Sequence, residues 1–115
     1  MRKTALFVFN GDPMCFIHVL LNALEMKEKN DEPKIILEGA SVKLIPELVK
    51  AGNPLNMLWK KVIDQELVEG VCKACSSKLG TLEDAKKQGL KLLDNMSGHP
   101  AMSEYRDNGF EIITF

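Results

Sequence analysis

The sequence predicts a three-layer α/β/α domain on a five-stranded, mostly parallel sheet of the flavodoxin-like kind, occupying residues 1–115 as one unit. Short continuous apolar runs recur along the chain, as in strands covered on both faces. Between them, apolar residues repeat at three- and four-residue spacing. The two kinds of segment alternate, which in short connections builds a parallel sheet with helices on both faces.

Thr4 to Phe9 is the first such run and reads as a strand. Asn10-Gly11-Asp12-Pro13 is a turn in which Asp12 caps a helix and Pro13 takes its first position. Phe16, Ile17, Leu20, Leu21 and Leu24 then carry that helix to about Lys29. Lys34 to Glu38 is the second strand. Ser41 is placed to cap a helix through Ala51, and Gly52-Asn53-Pro54 separates it from another, whose inward stripe is Leu55, Leu58, Trp59, Val62 and Ile63. Leu67 to Val71 is the third strand. Thr81-Leu82-Glu83-Asp84 has the form of a capping box opening a helix to about Gln88, and Leu90 to Leu93 is the fourth strand. His99-Pro100 opens a last helix through Asp107, Asn108-Gly109 stops it, and Phe110 to Phe115 is the fifth strand.

Composition sets the outer bounds. With 15 Lys+Arg against 16 Asp+Glu, the chain carries no overall field to attract nucleic acid or an anionic membrane, and neither is expected as a partner. Met14 to Leu24 is the longest apolar stretch, yet it is interrupted by His18 and Asn22 and is shorter than the ~20 residues a membrane helix needs. The apolar run near the N-terminus ends too soon for a signal peptide. A cytoplasmic protein is expected. Three cysteines cannot all pair within the chain, which fits a reducing compartment where thiols stay free.

The chemistry concentrates in Glu69-Gly70-Val71-Cys72-Lys73-Ala74-Cys75-Ser76-Ser77-Lys78-Leu79-Gly80, where a strand ends in a small-residue turn with two thiols three apart. In parallel sheets, ligands and reactive groups gather outside the carboxyl ends of the strands. Asn10 to Cys15, Cys72 to Ser77 and Asn95 to His99 all reach that edge. A thiol at the first turn of a helix, with Lys73 beside it, is expected to favour the thiolate. Buried, inert cysteines are the plain alternative for Cys72 and Cys75. A structural zinc site needs four ligands, of which C-x-x-C supplies two; Cys15 and His99 are the available others, without a second close-spaced pair. A thioredoxin-like disulfide fits less well, because the element order differs and the motif has neither a preceding Trp nor an internal Pro. Cys15 sits in the first turn of its helix, either as a dipole-activated thiol or as a core residue between Met14 and Phe16. His18 lies toward the apolar stripe as an ordinary helix histidine, whereas His99 is the better candidate to bind or shuttle a proton. Asn10 and Asp12 could cradle an anion, although the glycine spacing of a phosphate loop is missing. Met57 and Trp59 serve either the core or a subunit contact.

Over its whole length the chain resembles the DsrE-like family of sulfur-relay proteins, in the strand Lys3 to Phe9, the mid-chain cysteine motif and the terminal Gly109 to Phe115. The resemblance implies a DsrE-like fold and a sulfur carrier. Cys72 would accept sulfane sulfur as a persulfide from a donor protein and pass it to an acceptor protein, with Gly80 eight residues on. It places Cys72 and Cys75 as the reacting thiols, Cys75 being either a resolving thiol or a second ligand. Lys73, Ser76, Cys15, His99, Asn10 and Asp12 support them. It implies a homotrimer or homohexamer, and the amphipathic helix with Met57, Leu58 and Trp59 has apolar area left for such a neighbour; no cofactor is expected. The competing expectation is a non-catalytic module holding a metal or small ligand through Cys72, Cys75, Cys15 and His99.

Overall fold

A computed structural model describes all residues, 1–115. Its five strands are β1 (Lys3–Val8), β2 (Glu32–Leu37), β3 (Val68–Cys72), β4 (Leu92–Leu93) and β5 (Glu111–Thr114), all paired in parallel in the order β4-β3-β2-β1-β5. The helices are α1 (Pro13–Glu28), α2 (Ile45–Leu48), α3 (Asn56–Asp64), α4 (Lys73–Lys78), α5 (Leu82–Lys87) and α6 (Met102–Asp107). The chain steps from β1 to β4 in one direction and then returns past β1 to lay down β5.

Strand alternation divides the core into unequal halves. Leu6, Val8, Ile35, Leu37 and Val71 face Phe16, Val19, Leu20 and Ala23 of α1, Ile45 and Leu48 of α2, Trp59 and Val62 of α3, and Ala85 of α5. Ala5, Phe7 and Ile36 face the other way, toward Leu93 and Phe110, with Met102 and Tyr105 of α6 packed against them. The five helices α1 to α5 thus follow the first three strands, while α6, which follows β4, covers the second face. The sequence's three-layer reading holds, with one thick layer and one thin.

Local chemistry explains the boundaries. Asp12 caps α1 as expected, its Oδ1 accepting from the Met14 N–H at 2.8 Å, with Pro13 in the first turn. Between β2 and β3 the register slips at Ile35/Ile36, so that Glu69 is an extra residue in β3. Gly70 is required beside that slip: a Cβ there would lie 2.4 Å from the Lys91 carbonyl oxygen, so only glycine lets β4 close on β3.

Several expected elements differ. The helix from Ser41 to Ala51 is instead a 3₁₀ segment, Gly39–Leu44, running into the single turn of α2. Ser41 is no cap; it is buried, with its hydroxyl 2.6 Å from the Val8 carbonyl and 2.9 Å from that of Glu38, and Pro46 lacks the N–H that would continue the ladder. Thr81 precedes α5 without a capping bond, because its hydroxyl is buried and unpartnered. The last helix begins at Met102 rather than at His99, since His99 is held in a turn of its own. His18 is exposed rather than on the buried stripe, and of the expected subunit patch Trp59 belongs to the core while Met57 points outward. No helix is long and apolar enough to cross a membrane.

Candidate metal centre

The site is assembled from three strand ends. Register puts Leu37 beside Val71, so the next residues, Glu38 after β2 and Cys72 at the end of β3, are neighbours. Cys72 then caps α4, its sulfur accepting from the Cys75 N–H at 3.4 Å, which turns Cys75 back over it. The third contribution comes after β4. Met96 and His99 exchange backbone hydrogen bonds across Ser97 and Gly98, whose φ values of 50° and 88° suit the two-residue reversal of a I′ turn. The Gly98 carbonyl accepts from the Ala74 N–H at 2.8 Å and lies 3.6 Å from Cys72 Sγ. The turn carrying His99 is therefore fastened to the start of α4.

His99 Nδ1 is the meeting point. It lies 3.1 Å from Cys72 Sγ, 3.8 Å from Cys75 Sγ and 3.5 Å from Glu38 Oε2. One ligand atom from each of these four residues falls within 4.8 Å of all the others. A tetrahedral zinc ion with bonds of about 2.3 Å to sulfur and about 2.1 Å to nitrogen and oxygen requires S···N edges of roughly 3.6 Å and an N···O edge of roughly 3.4 Å. The distances to Nδ1 bracket those edges.

The electrostatics without a cation are unfavourable. Burial pushes the Cys72 thiol up to about 12; the Cys75 amide hydrogen bond opposes this, while the Cys75 thiol and the Glu38 carboxylate reinforce it. Burial also raises Glu38 above its usual 4.5, partly offset by His99. This reverses the expectation of an activated Cys72 thiolate, for two reasons: Cys72 is fully buried, and Lys73 turns away to pair with Asp94 at 3.6 Å.

The remaining candidates are placed as follows. Cys75 and His99 are partly exposed at the mouth of the cluster. Ser76 is buried, with its hydroxyl unpartnered. Asn10 and Asp12 spend their side chains on the turn before α1, Asn10 Oδ1 accepting from the Asp12 N–H at 2.8 Å. Cys15 holds its expected place in the first turn of α1 but is outside the cluster, where Glu38 supplies the fourth group. Glu38 was missing from the sequence expectation. Its signal was its place one residue past an apolar run, at the carboxyl edge of a strand. A cavity of about 260 Å³ lies elsewhere, lined by Lys34, Glu69 and Tyr105 among others, and none of the four cluster residues borders it.

Fold and site together define a small parallel α/β protein with a dithiol–imidazole–carboxylate cluster at the carboxyl edge of its sheet. The chain is 41% identical over 97 residues to the uncharacterized protein MJ0733 of Methanocaldococcus jannaschii, an alignment covering 84% of this chain and 77% of that protein. It belongs to the family of that protein. An uncharacterized protein of Archaeoglobus fulgidus is 36% identical over 59 residues, covering 51% of this chain and 95% of its own length. No family model matches the chain. The solved structure of BT1422 from Bacteroides thetaiotaomicron, a conserved protein of unknown function, shares the fold with a TM-score of 0.69 at 20% identity, over 98% of this chain and 95% of that one.

Proposed function

We propose that this chain is a metal-binding protein whose Cys72, Cys75, His99 and Glu38 hold one zinc ion. The observation that carries the reading is the convergence of four ligand atoms within 4.8 Å from the ends of β2, β3 and β4. Two sulfurs, an imidazole nitrogen and a carboxylate oxygen form a donor set of the kind zinc takes, and a dication converts the mutual repulsion of two thiolates and a carboxylate into attraction. Binding releases the thiol protons, so affinity rises with pH.

Metal content of protein purified without chelator tests this directly. Near-stoichiometric zinc is expected, and Cys75→Ser should lose it. Cobalt(II) substitution adds a sulfur-to-metal charge-transfer band that should fall in each single-cysteine variant of the pair and persist in Cys15→Ser. Wild-type protein that takes up no zinc or cobalt at micromolar concentration would sink the reading.

A sulfur carrier is the second reading, favoured by the partly exposed Cys75 thiol at the mouth of the cluster and by the resemblance to DsrE-like proteins. In it, Cys72 or Cys75 accepts a sulfane sulfur from a donor protein and yields it to an acceptor, in a homotrimer or homohexamer. Intact mass after incubation with a persulfide donor should rise by ~32 Da per sulfur, reversibly with thiol reductant. Equal uptake by Cys72→Ser would remove Cys72 as the carrier, and gel filtration with light scattering giving the 12.9 kDa monomer would remove the assembly.

A further inference from the structure

We infer that Cys72 and Cys75 form a reversible dithiol–disulfide pair whose oxidation by a small-molecule disulfide ejects the metal, so that the centre reports thiol redox state. The inference rests on the zinc reading for the ejected ion. It draws on a separate observation, the asymmetry of the two thiols. Cys75 is partly exposed and Cys72 is fully buried behind it, with both free and their sulfurs within 4.8 Å. The Cys75 N–H already points at Cys72 Sγ, so the two side chains converge on one end of α4. A disulfide needs an S–S separation near 2.05 Å, which side-chain rotation at the end of a one-and-a-half-turn helix can supply.

The chemistry divides between the two sulfurs. The outer Cys75, as thiolate, attacks one sulfur of the incoming disulfide, forming a mixed disulfide and expelling one thiolate of the reagent. Cys72 Sγ, which metal binding has already left as a thiolate 3.1 Å from His99 Nδ1, gives up the metal and attacks Cys75 Sγ. The Cys72–Cys75 bond forms, the second reagent thiolate leaves, both reagent thiolates take up protons from water, and two electrons have moved from the protein to the reagent. Both sulfurs are then spent as ligands. His99 and Glu38 remain, two groups where a zinc site needs at least three. Cys15, outside the cluster, takes no part.

The test uses zinc-loaded Cys15→Ser protein titrated with oxidised glutathione, with zinc release followed by a chromophoric chelator. Expected are about one zinc released per chain, a mass lower by about 2 Da, and recovery of both mass and binding with reduced thiol. Because Lys73 lies between the cysteines, a non-reducing tryptic map of the same wild-type pair joins the peptide 62–73 to 74–78, which needs no variant of a buried residue. In Cys72→Ala the glutathione adduct should stay trapped on Cys75. Zinc that stays bound, with both thiols still alkylatable under excess oxidised glutathione, overturns the inference and leaves the zinc reading standing. A disulfide that closes in protein unable to bind zinc overturns both.

Discussion

Gly98→Ala separates the architecture of the site from the general cost of a left-handed backbone. Gly98 has φ 88°, and a Cβ on it would lie 3.1 Å from Ala74 Cβ, at the point where its carbonyl holds the start of α4. Gly80 has φ 78° with nothing within 4 Å, so Gly80→Ala bears the backbone strain alone. A left-handed non-glycine residue costs about 1–2 kcal/mol. The crowding against Ala74 adds roughly 1 kcal/mol more, at the low end of overpacking penalties. Melting entropy of about 2.1 cal/mol/K per residue gives roughly 0.24 kcal/mol/K for a chain of this length, hence a loss of ~6 °C for Gly80→Ala and ~10 °C for Gly98→Ala.

Stability alone is the smaller part of this prediction. Relief of the Ala74 contact must push the His99 turn away from Cys72, so zinc affinity should fall about 10- to 100-fold, the range seen when groups that orient a metal ligand are disturbed. Gly80→Ala should bind zinc as wild type does. Calorimetric melting of the metal-free proteins and competition against a chromophoric chelator supply both readouts. Equal melting temperatures for the two variants with undiminished zinc binding in Gly98→Ala would refute the claim that the Gly98–Ala74 junction sets the site.

Glu38→Gln should stabilise the metal-free protein at neutral pH while weakening zinc binding. Because burial raises the Glu38 pKa, its contribution is fully present below 4.5 and lost as pH climbs through the raised value. The variant's advantage in urea midpoint must therefore grow between pH 4 and pH 8, and a constant or shrinking difference would contradict it. Burial and the Glu69 carboxylate, which accepts the Tyr105 hydroxyl at 2.9 Å, likewise hold that phenol protonated well above its usual 10. The folded chain retains a proton that the unfolded chain sheds, so stability falls as pH rises past ~10. Tyr105→Phe should flatten that alkaline limb at a cost of about 1 kcal/mol near neutrality, with the edge-on contacts to Phe7 and Phe110 kept, and an unchanged limb would refute this. Trp59→Ala, which empties the α1–α3 contact around Phe16 and frees Gln88, should cost ~3–5 kcal/mol by urea unfolding; a loss below ~1 kcal/mol would contradict its core placement.

The parts of the fold that could be read in advance are those set by adjacent residues. The apolar runs at β1, β2 and β5 sit within two residues of their expected limits, and Asp12 with Pro13 marks the start of α1. Ser41 and Thr81 show where such local signals fail. Each has the residue type of a cap, yet each hydroxyl is buried: Ser41 bonds the end of β1, distant in sequence, and Thr81 has no partner. The ionisation of Cys72 went the same way. The sequence displays Lys73 beside it, but burial and the direction of the lysine are properties of the packed molecule.

Cys15 and Glu38 show why the ligand set was half legible. Cys72, Cys75 and His99 follow β3 and β4, which are paired neighbours, and a chain that alternates strand and helix makes such consecutive strands the natural place to look. The fourth position depends on which strand flanks β3 on its other side. In the order β4-β3-β2-β1-β5 that strand is β2, so its first residue past the pairing, Glu38, stands beside Cys72. Cys15 follows β1, one strand further away, and neighbouring strands are about 4.8 Å apart, so a residue after β1 starts roughly 10 Å from β3 before any side chain is counted. Helical phase adds to the separation, because Phe16, Val19, Leu20 and Ala23 set the buried face of α1 and Cys15 lies about 100° around from Phe16. A third cysteine in a first helical turn has the right chemistry. Strand order gives the position to a carboxylate, whose exchange for Cys15 would require β1 and β2 to trade places in the sheet.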